Sequence, residues 1–241
     1  MKVAIMQPTF LPWIGYFAMI KSSDIFVFLD TVQFEQRSWQ SRNKILLNKK
    51  EHLLSLSCKK APQKTAINDM YLLDENKWKN TLLKSIHHGY SKSKNFKKCF
   101  EIVENALKNN TKLADLNINI IKEFVNILGI KTRLLRASSL HLAKAKKEGL
   151  LLEICKVLKA TVYLSAQGSK AYLENDEARA LFANSGVKIE YFNFTHPVYK
   201  QMGGGGLILC HILVSWIFVL MLMMRNLSLK KFNKDFYESA F

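Results

Sequence analysis

A chain of 241 residues with 49% hydrophobic content and a formal net charge of +17 is long enough to bury a core and fits one large domain, or one domain with an appendage. Its four cysteines, Cys58, Cys99, Cys155 and Cys210, stand far apart with no CxxC pair, which excludes a disulfide framework and zinc-site spacing and fits a reducing cytoplasm. The basic excess is spread along a chain rich in Lys, Asn and Ile, with no arginine-dense stripe interleaved with aromatics, so no nucleic-acid partner is expected.

The start, MKVAIMQP, lacks the layout of a secretory signal because Gln7 and Pro8 interrupt the apolar run. KVAIM (2–6) is a short continuous apolar run and IFVFLD (25–30) another. Between them FLPWIGYFAMIKSSD carries aromatics at helical spacing. Strand, helix, strand in that order needs a right-handed crossover and a parallel sheet. KILLNKKEHLLSLSC (44–58) reads as two strands about an NKKE turn, and INDMYLL (67–73) as a further strand. Three helices follow: NKWKNTLLKSIHHGY, NFKKCFEIVENALKN and LADLNINIIKEFVNILGI. In the last, Leu113, Leu116, Ile120, Phe124 and Ile127 keep one face apolar.

After Gly129 the pattern alternates again. KTRLLRA is a strand, KKEGLLLEICKVLKA a helix, TVYLSA a strand, SKAYLENDEARALFANSG a helix and VKIEYFNF a strand. Gly186 follows the last apolar helical position, where a left-handed C-cap favours glycine. The predicted fold is α/β, with a mainly parallel sheet, helices on both faces and a helical insertion near 76–128, in a domain spanning 1–202.

Ligands of open α/β sheets sit beyond the carboxyl ends of the strands. Four polar or aromatic clusters fall there: Gln7 to Tyr16, Asp30 to Asn43, Ser165 to Tyr172, and His196 to Gln201. A shared pocket is the expectation.

DTVQFEQRSWQSRNKI is the densest of them, with Asp30, Gln33, Arg37, Trp39, Arg42 and Asn43 in one stretch. Arginine offers a planar fork for phosphate or carboxylate and tryptophan a stacking face, while Asp and Gln hold hydroxyls. The set suits a sugar or a nucleotide. The competing reading is a surface loop whose arginines pair with local acids. SAQGSKAYLE places Ser165 and Gly168 between a strand and a helix start bearing Tyr172, where free N–H groups attract anions. It is neither G-x-G-x-x-G nor a Walker loop, and Ser169 can simply cap the helix. His87 and His88 are adjacent on a helix end and so diverge, a poor geometry for a metal. His196 has no Ser, Cys or Asp fixed near it by spacing, so no nucleophile triad is read. The residues name no cofactor, no metal and no oligomeric state.

Taken together, AIMQPTFLPWIGYF, DTVQFEQRSWQSRNKI, YLSAQGSKAYLE with GVKIEYFNF, and HPVYKQ make this chain resemble the WbqC-like family, over about residues 1–202 and in the same order. That family is found among bacterial genes for O-antigen and other surface polysaccharides. The resemblance implies transferase action on an activated sugar or related anionic substrate, with a non-catalytic scaffold subunit as the alternative. Matching motifs carry over Gln7, Pro8, Trp13, Gly15 and Tyr16; Asp30, Gln33, Trp39, Arg42 and Asn43; Ser165, Gly168 and Tyr172; and Tyr199 and Gln201. Asp30 and Arg42 are the first choices for chemistry, Asp30 as a hydroxyl ligand or base. Thr31 and Ser41 depart from the Asp and Asn often found at those places.

Gly203 to Gly206 precede an apolar stretch of 18 residues, LILCHILVSWIFVLMLMM (207–224), near the minimum for a membrane span. One reading is a tail anchor making membrane contact. The resemblance instead implies a terminal helix close to LSILDLLFN after YKQ. Moving the frame back one nucleotide turns the TGG-ATN of Trp216 and Ile217 into GAT, Asp, preceded by Leu when the Ser215 codon ends in T or C. The second reading is therefore an out-of-frame tail (207–241) from slippage on the glycine codons, a phase-variable or truncated form of a cytoplasmic protein.

Overall fold

The computed structural model describes residues 1–195, apart from 49 and 94. His196, Tyr199, Gln201, the glycine run and the apolar stretch 207–224 lie outside the described residues.

The chain is α/β, as its alternation predicts. In chain order it forms β1 (Lys2–Met6), α1 (Ile14–Lys21), β2 (Ile25–Phe28), β3 (Arg42–Leu47), β4 (Lys50–Ser55), α2 (Asn76–Tyr90), α3 (Phe96–Asn109) and α4 (Leu113–Ile127). Then come β5 (Arg133–Arg136), α5 (Lys147–Val157), β6 (Val162–Ala166), α6 (Lys170–Leu173), α7 (Asp176–Ala183) and β7 (Lys188–Phe192). Among the described residues, five strands make one sheet in the order β5-β2-β1-β6-β7, and β3 and β4 make a separate hairpin. Every neighbouring pair in the five-stranded sheet is parallel.

Successive strand side chains point to opposite faces, so each strand feeds two cores. Ala4, Phe26, Phe28 and Leu164 pack with residues of α1 and of α2, α3 and α4. Val3, Ile5, Ile25, Val27 and Tyr163 pack with Leu151, Leu152 and Ile154 of α5 and Phe182 of α7. A sheet apolar on both faces is what continuous runs such as VAI and IFVF encode, and helices must cover both sides of it.

Three expectations are corrected. Residues 67–73 are not a strand but a 3-10 turn at Ile67–Asp69 followed by isolated bridges at Tyr71 and Leu72. Their backbone groups bond to several separate segments: Asn68 N–H donates to the Asp30 carbonyl, Leu72 N–H to Thr111 and Leu73 N–H to Ser57. The helix expected over SKAYLENDEARALFANSG (169–186) is broken. Asn175 caps α7 by accepting the Ala178 N–H on Oδ1 and donates from Nδ2 to the Tyr172 carbonyl, ending α6 after one turn. The hairpin turn is tighter than NKKE, since Leu47 pairs with Lys50 across it; Asn48 takes φ 51°, a conformation Asn tolerates. Gly186, at φ 67°, occupies the left-handed position expected of it.

Candidate functional site

Counting only the strands of the five-stranded sheet, the chain first builds outward from β1 through β2 to β5, then returns to the other side of β1 with β6 and β7. The strand order reverses between β1 and β6, and the carboxyl ends of those two strands are the usual ligand position in a doubly wound sheet. Gln7, Pro8 and Thr9 follow β1 there, and Gln167–Ser169 form a 3-10 turn after β6. Trp13, 43% exposed, sits edge-on to Phe194 with ring centroids 5.3 Å apart. Because β6 lies between β1 and β7, that contact bridges the end of β6. Phe194 stacks on Phe192, whose carbonyl accepts from Gln167 Nε2 at 3.1 Å. Gly15 has no room for a side chain: a Cβ there would lie 2.1 to 2.6 Å from three ring atoms of Trp13.

The loops after β1 and β2 are tied together by buried amides. Gln40 Nε2 donates to Gln7 Oε1 at 2.8 Å and Phe10 N–H to the Trp39 carbonyl at 2.9 Å. Asn117, on α4, donates to the carbonyls of Pro8 and Gln40. Asn43 donates to those of Phe10 and Leu11, and Leu11 carries φ 49°, an unfavourable value for a branched residue. Tyr16 donates its hydroxyl to the Gln7 carbonyl at 3.0 Å, and burial pushes its phenol well above the usual range, so it stays a neutral donor. Gln7, Tyr16 and Asn43 are thus brought together, Tyr16 and Asn43 as buried framework and Gln7 half-buried, while Trp39 is 47% exposed above them. Thr31 Oγ1, Asn68 Oδ1 and Asn117 Oδ1 are buried without a hydrogen-bond partner among the described residues.

Asp30 has no solvent exposure. Its carboxylate accepts from Arg136 Nε at 2.7 Å, Ser138 N–H at 2.9 Å and Ser138 Oγ at 2.7 Å, and Arg136 Nη1 donates to Asp115 at 2.6 Å. The sequence alone does not single out Arg136 and Ser138, although KTRLLRA carries the signal, since its last Arg ends β5 beside the end of β2.

A cleft of about 780 Å³ opens between the β2–β3 loop and the segment after β4. Gln33, Arg37 and Arg42 line it with Lys59 and Lys60, and Glu35 is its single acidic residue. Arg37 holds φ 63°. None of Gln7, Trp13, Asp30 or Tyr172 lines this cleft. Lys59 and Lys60 carry no motif of their own, although the hairpin requires their neighbourhood: Ser55 pairs with Arg42, so the chain leaving β4 returns beside that arginine.

The third cluster is split. Ser165 is fully buried, its Oγ donating to the Tyr163 hydroxyl at a long 3.5 Å. Gly168 is exposed in the 3-10 turn, and Tyr172, 44% exposed, stands on the one-turn α6. So short a helix gives little dipole for an anion. Burial pushes the thiol of Cys58 up to about 11 and those of Cys99 and Cys155 to about 12, leaving all three protonated at neutral pH. His87 packs edge-on against Phe96 and Phe100. Among the described residues no group of His, Cys, Asp or Glu is placed to hold a metal ion.

A family model described as "WbqC-like protein family" matches residues 7–207. The chain is also similar to a Mycobacterium tuberculosis protein named "Uncharacterized protein Rv1507c", 27% identical over 208 residues that cover 85% of this chain and 87% of that protein.

Proposed function

The chain belongs to the WbqC-like protein family, and from that premise we propose that it is a transferase-type enzyme of bacterial surface-glycan assembly, taking an activated sugar or related anionic substrate at the carboxyl edge of its sheet. The observation that carries this reading is the cationic wall of Arg37, Arg42, Lys59 and Lys60 beside Glu35, where the β2–β3 loop that bears Arg37 is tied by Gln40 and Trp39 to the loop after β1. Charge-assisted bonds from such a wall favour a phosphorylated ligand. Trp13, Trp39 and Tyr172, each more than 40% exposed, offer rings for a sugar face. Gln33 and Gln7 supply amides for hydroxyls. In this reading Arg42 holds the charge of the substrate, while Asp30 fixes the guanidinium of Arg136 at the end of β5.

Isothermal titration of the purified protein with nucleotide-linked and phosphorylated hexoses tests it. Arg42→Ala is expected to weaken binding at least tenfold with an unchanged circular dichroism spectrum. Unchanged affinity in that variant would remove the proposal. The saturation of Asp30 by three donors favours a second reading, a binding or scaffold subunit without turnover. Product formation from those hexoses separates the two.

Among the described residues no helix is long and apolar enough to cross a membrane. The family match stops at residue 207, where the apolar stretch begins. We take that stretch as an out-of-frame tail. Gene sequencing should show an unbroken guanine run at Gly203–Gly206; glycine codons ending in A, T or C would leave the tail anchor, tested by membrane fractionation.

A further inference from the structure

The cleft beside the hairpin deepens this reading and rests on it in one respect, that the substrate is anionic. We infer that the cleft binds the phosphate-bearing end of a glycosyl phosphate, with a sugar and not a nucleobase as the organic part.

Its volume, about 780 Å³, lies within the range of small-molecule sites. Its charge is unbalanced, four cations against the one carboxylate of Glu35. Lys44 pairs with Glu51, and Lys2 and Lys188 with Glu190, whereas among the described residues no ion pair engages Arg37, Arg42, Lys59 or Lys60. Arg37 comes from the β2–β3 loop, Arg42 opens β3, and Lys59 and Lys60 come from the segment after β4, so the cations reach a ligand from both walls. Lys59 is steadied by the Tyr71 ring, its Nζ 5.9 Å from the centroid. Arg37 is held at φ 63° by the turn in which Ser38 Oγ donates to the Glu35 carbonyl. A left-handed conformation in a residue other than glycine is unfavourable and persists where the surrounding structure enforces it.

The neutral lining decides the organic part. Gln36, Gln63, Ser55 and Ser57 present amides and hydroxyls, which match sugar hydroxyls. The one aromatic residue, Phe34, is packed against the core, so a base finds no platform of the kind that stacking needs. Cys58 lines the cleft as a protonated thiol and offers no nucleophile.

Calorimetric titration of the full chain with glucose 1-phosphate, inorganic phosphate, free glucose and uridine diphosphate tests the inference, using wild type, the double variant Arg42→Gln/Lys60→Gln and a charge-matched control on α3, Lys97→Gln/Lys98→Gln, whose lysines are exposed away from the cleft. Glucose 1-phosphate should bind wild type at least tenfold more tightly than inorganic phosphate. That affinity should fall tenfold or more in the double variant and stay within twofold in the Lys97→Gln/Lys98→Gln control. Free glucose should not bind, and uridine diphosphate should bind no more tightly than inorganic phosphate. Equal affinity for glucose 1-phosphate and inorganic phosphate overturns the sugar part. Tight, cleft-dependent binding of uridine diphosphate overturns the exclusion of a base. If a nucleotide-linked hexose binds in a way that depends on Arg42 while glucose 1-phosphate binds no more tightly than inorganic phosphate, the inference fails while the proposed function stands. Circular dichroism and the Tm of each variant confirm that the comparison is between folded proteins.

Discussion

Arg136 reaches from the end of β5 to the end of β2 and donates from Nε to a carboxylate oxygen of Asp30 at 2.7 Å. Asp30 has no exposure, while the second partner of that guanidinium, Asp115, has a side chain that is 37% exposed. Removing one side of a buried, hydrogen-bonded ion pair costs several kcal/mol because the other side stays desolvated; an exposed pair contributes about 0–1 kcal/mol. Asp30→Ala is therefore expected to lower unfolding free energy by about 3 kcal/mol, and Asp115→Ala by less than about 1 kcal/mol, in urea titrations. Equal losses would mean that the buried carboxylate has no special structural weight.

Gly15 sits under the indole of Trp13, where a Cβ would come as close as 2.1 Å to the ring. Gly15→Ala must move the ring, since Gly15 lies in α1 and is buried. Within a helix that substitution gains up to about 1 kcal/mol, and the displaced indole loses its edge-on contact with Phe194, worth about 0.5–1.5 kcal/mol. The Tm should thus change by only a few degrees while the near-ultraviolet circular dichroism of the indole changes and ligand affinity falls. A variant with wild-type affinity would show that Trp13 contributes nothing to binding.

The strand ends were legible because their signal is local. Continuous apolar runs such as IFVF stop at Asp30, and polarity after such a run marks the carboxyl edge of a parallel sheet. What the sequence conceals are partners distant along the chain. Asn117 bonds a carbonyl 109 positions away, and its helix reads as ordinary amphipathic packing. Arg136 belongs to a four-residue strand, RLLR, whose terminal charge looks like solvated surface until the β2–β5 pairing sets it beside Asp30. The break between α6 and α7 turns on Asn175 alone, where a cap competes with a continuous helix and wins.

Asn43 supports the loop after β1 from beneath, donating to the Phe10 and Leu11 carbonyls, and so braces the left-handed Leu11. Asn43→Ala leaves two buried carbonyls unpaired, at about 1–3 kcal/mol. Asn43→Asp is expected to cost more at neutral pH, because an ionised oxygen would face those carbonyls in place of a donor. Protonation gives the introduced carboxyl one donor back, so its deficit should shrink as pH falls. Urea midpoints from pH 5 to 8 test this; a deficit for Asn43→Asp that is no larger than that of Asn43→Ala and is flat with pH contradicts the bracing role.

Cys99 and Cys155 are buried, and desolvation pushes both thiols from an ordinary 9.0 to about 12. Below pH 9 both folded and unfolded chains carry neutral thiols, and stability is independent of these groups. Above it the unfolded chain ionises while the folded one does not, so stability declines as pH rises from 9 toward 12. Each group contributes about 1.4 kcal/mol per pH unit at most. Under reducing conditions Cys155→Ala should flatten the alkaline decline relative to wild type, even though the truncation lowers stability at pH 8. A slope unchanged by the substitution would mean that water reaches Cys155 in the folded protein, against its complete burial on α5 in the core that also holds Tyr163 of β6.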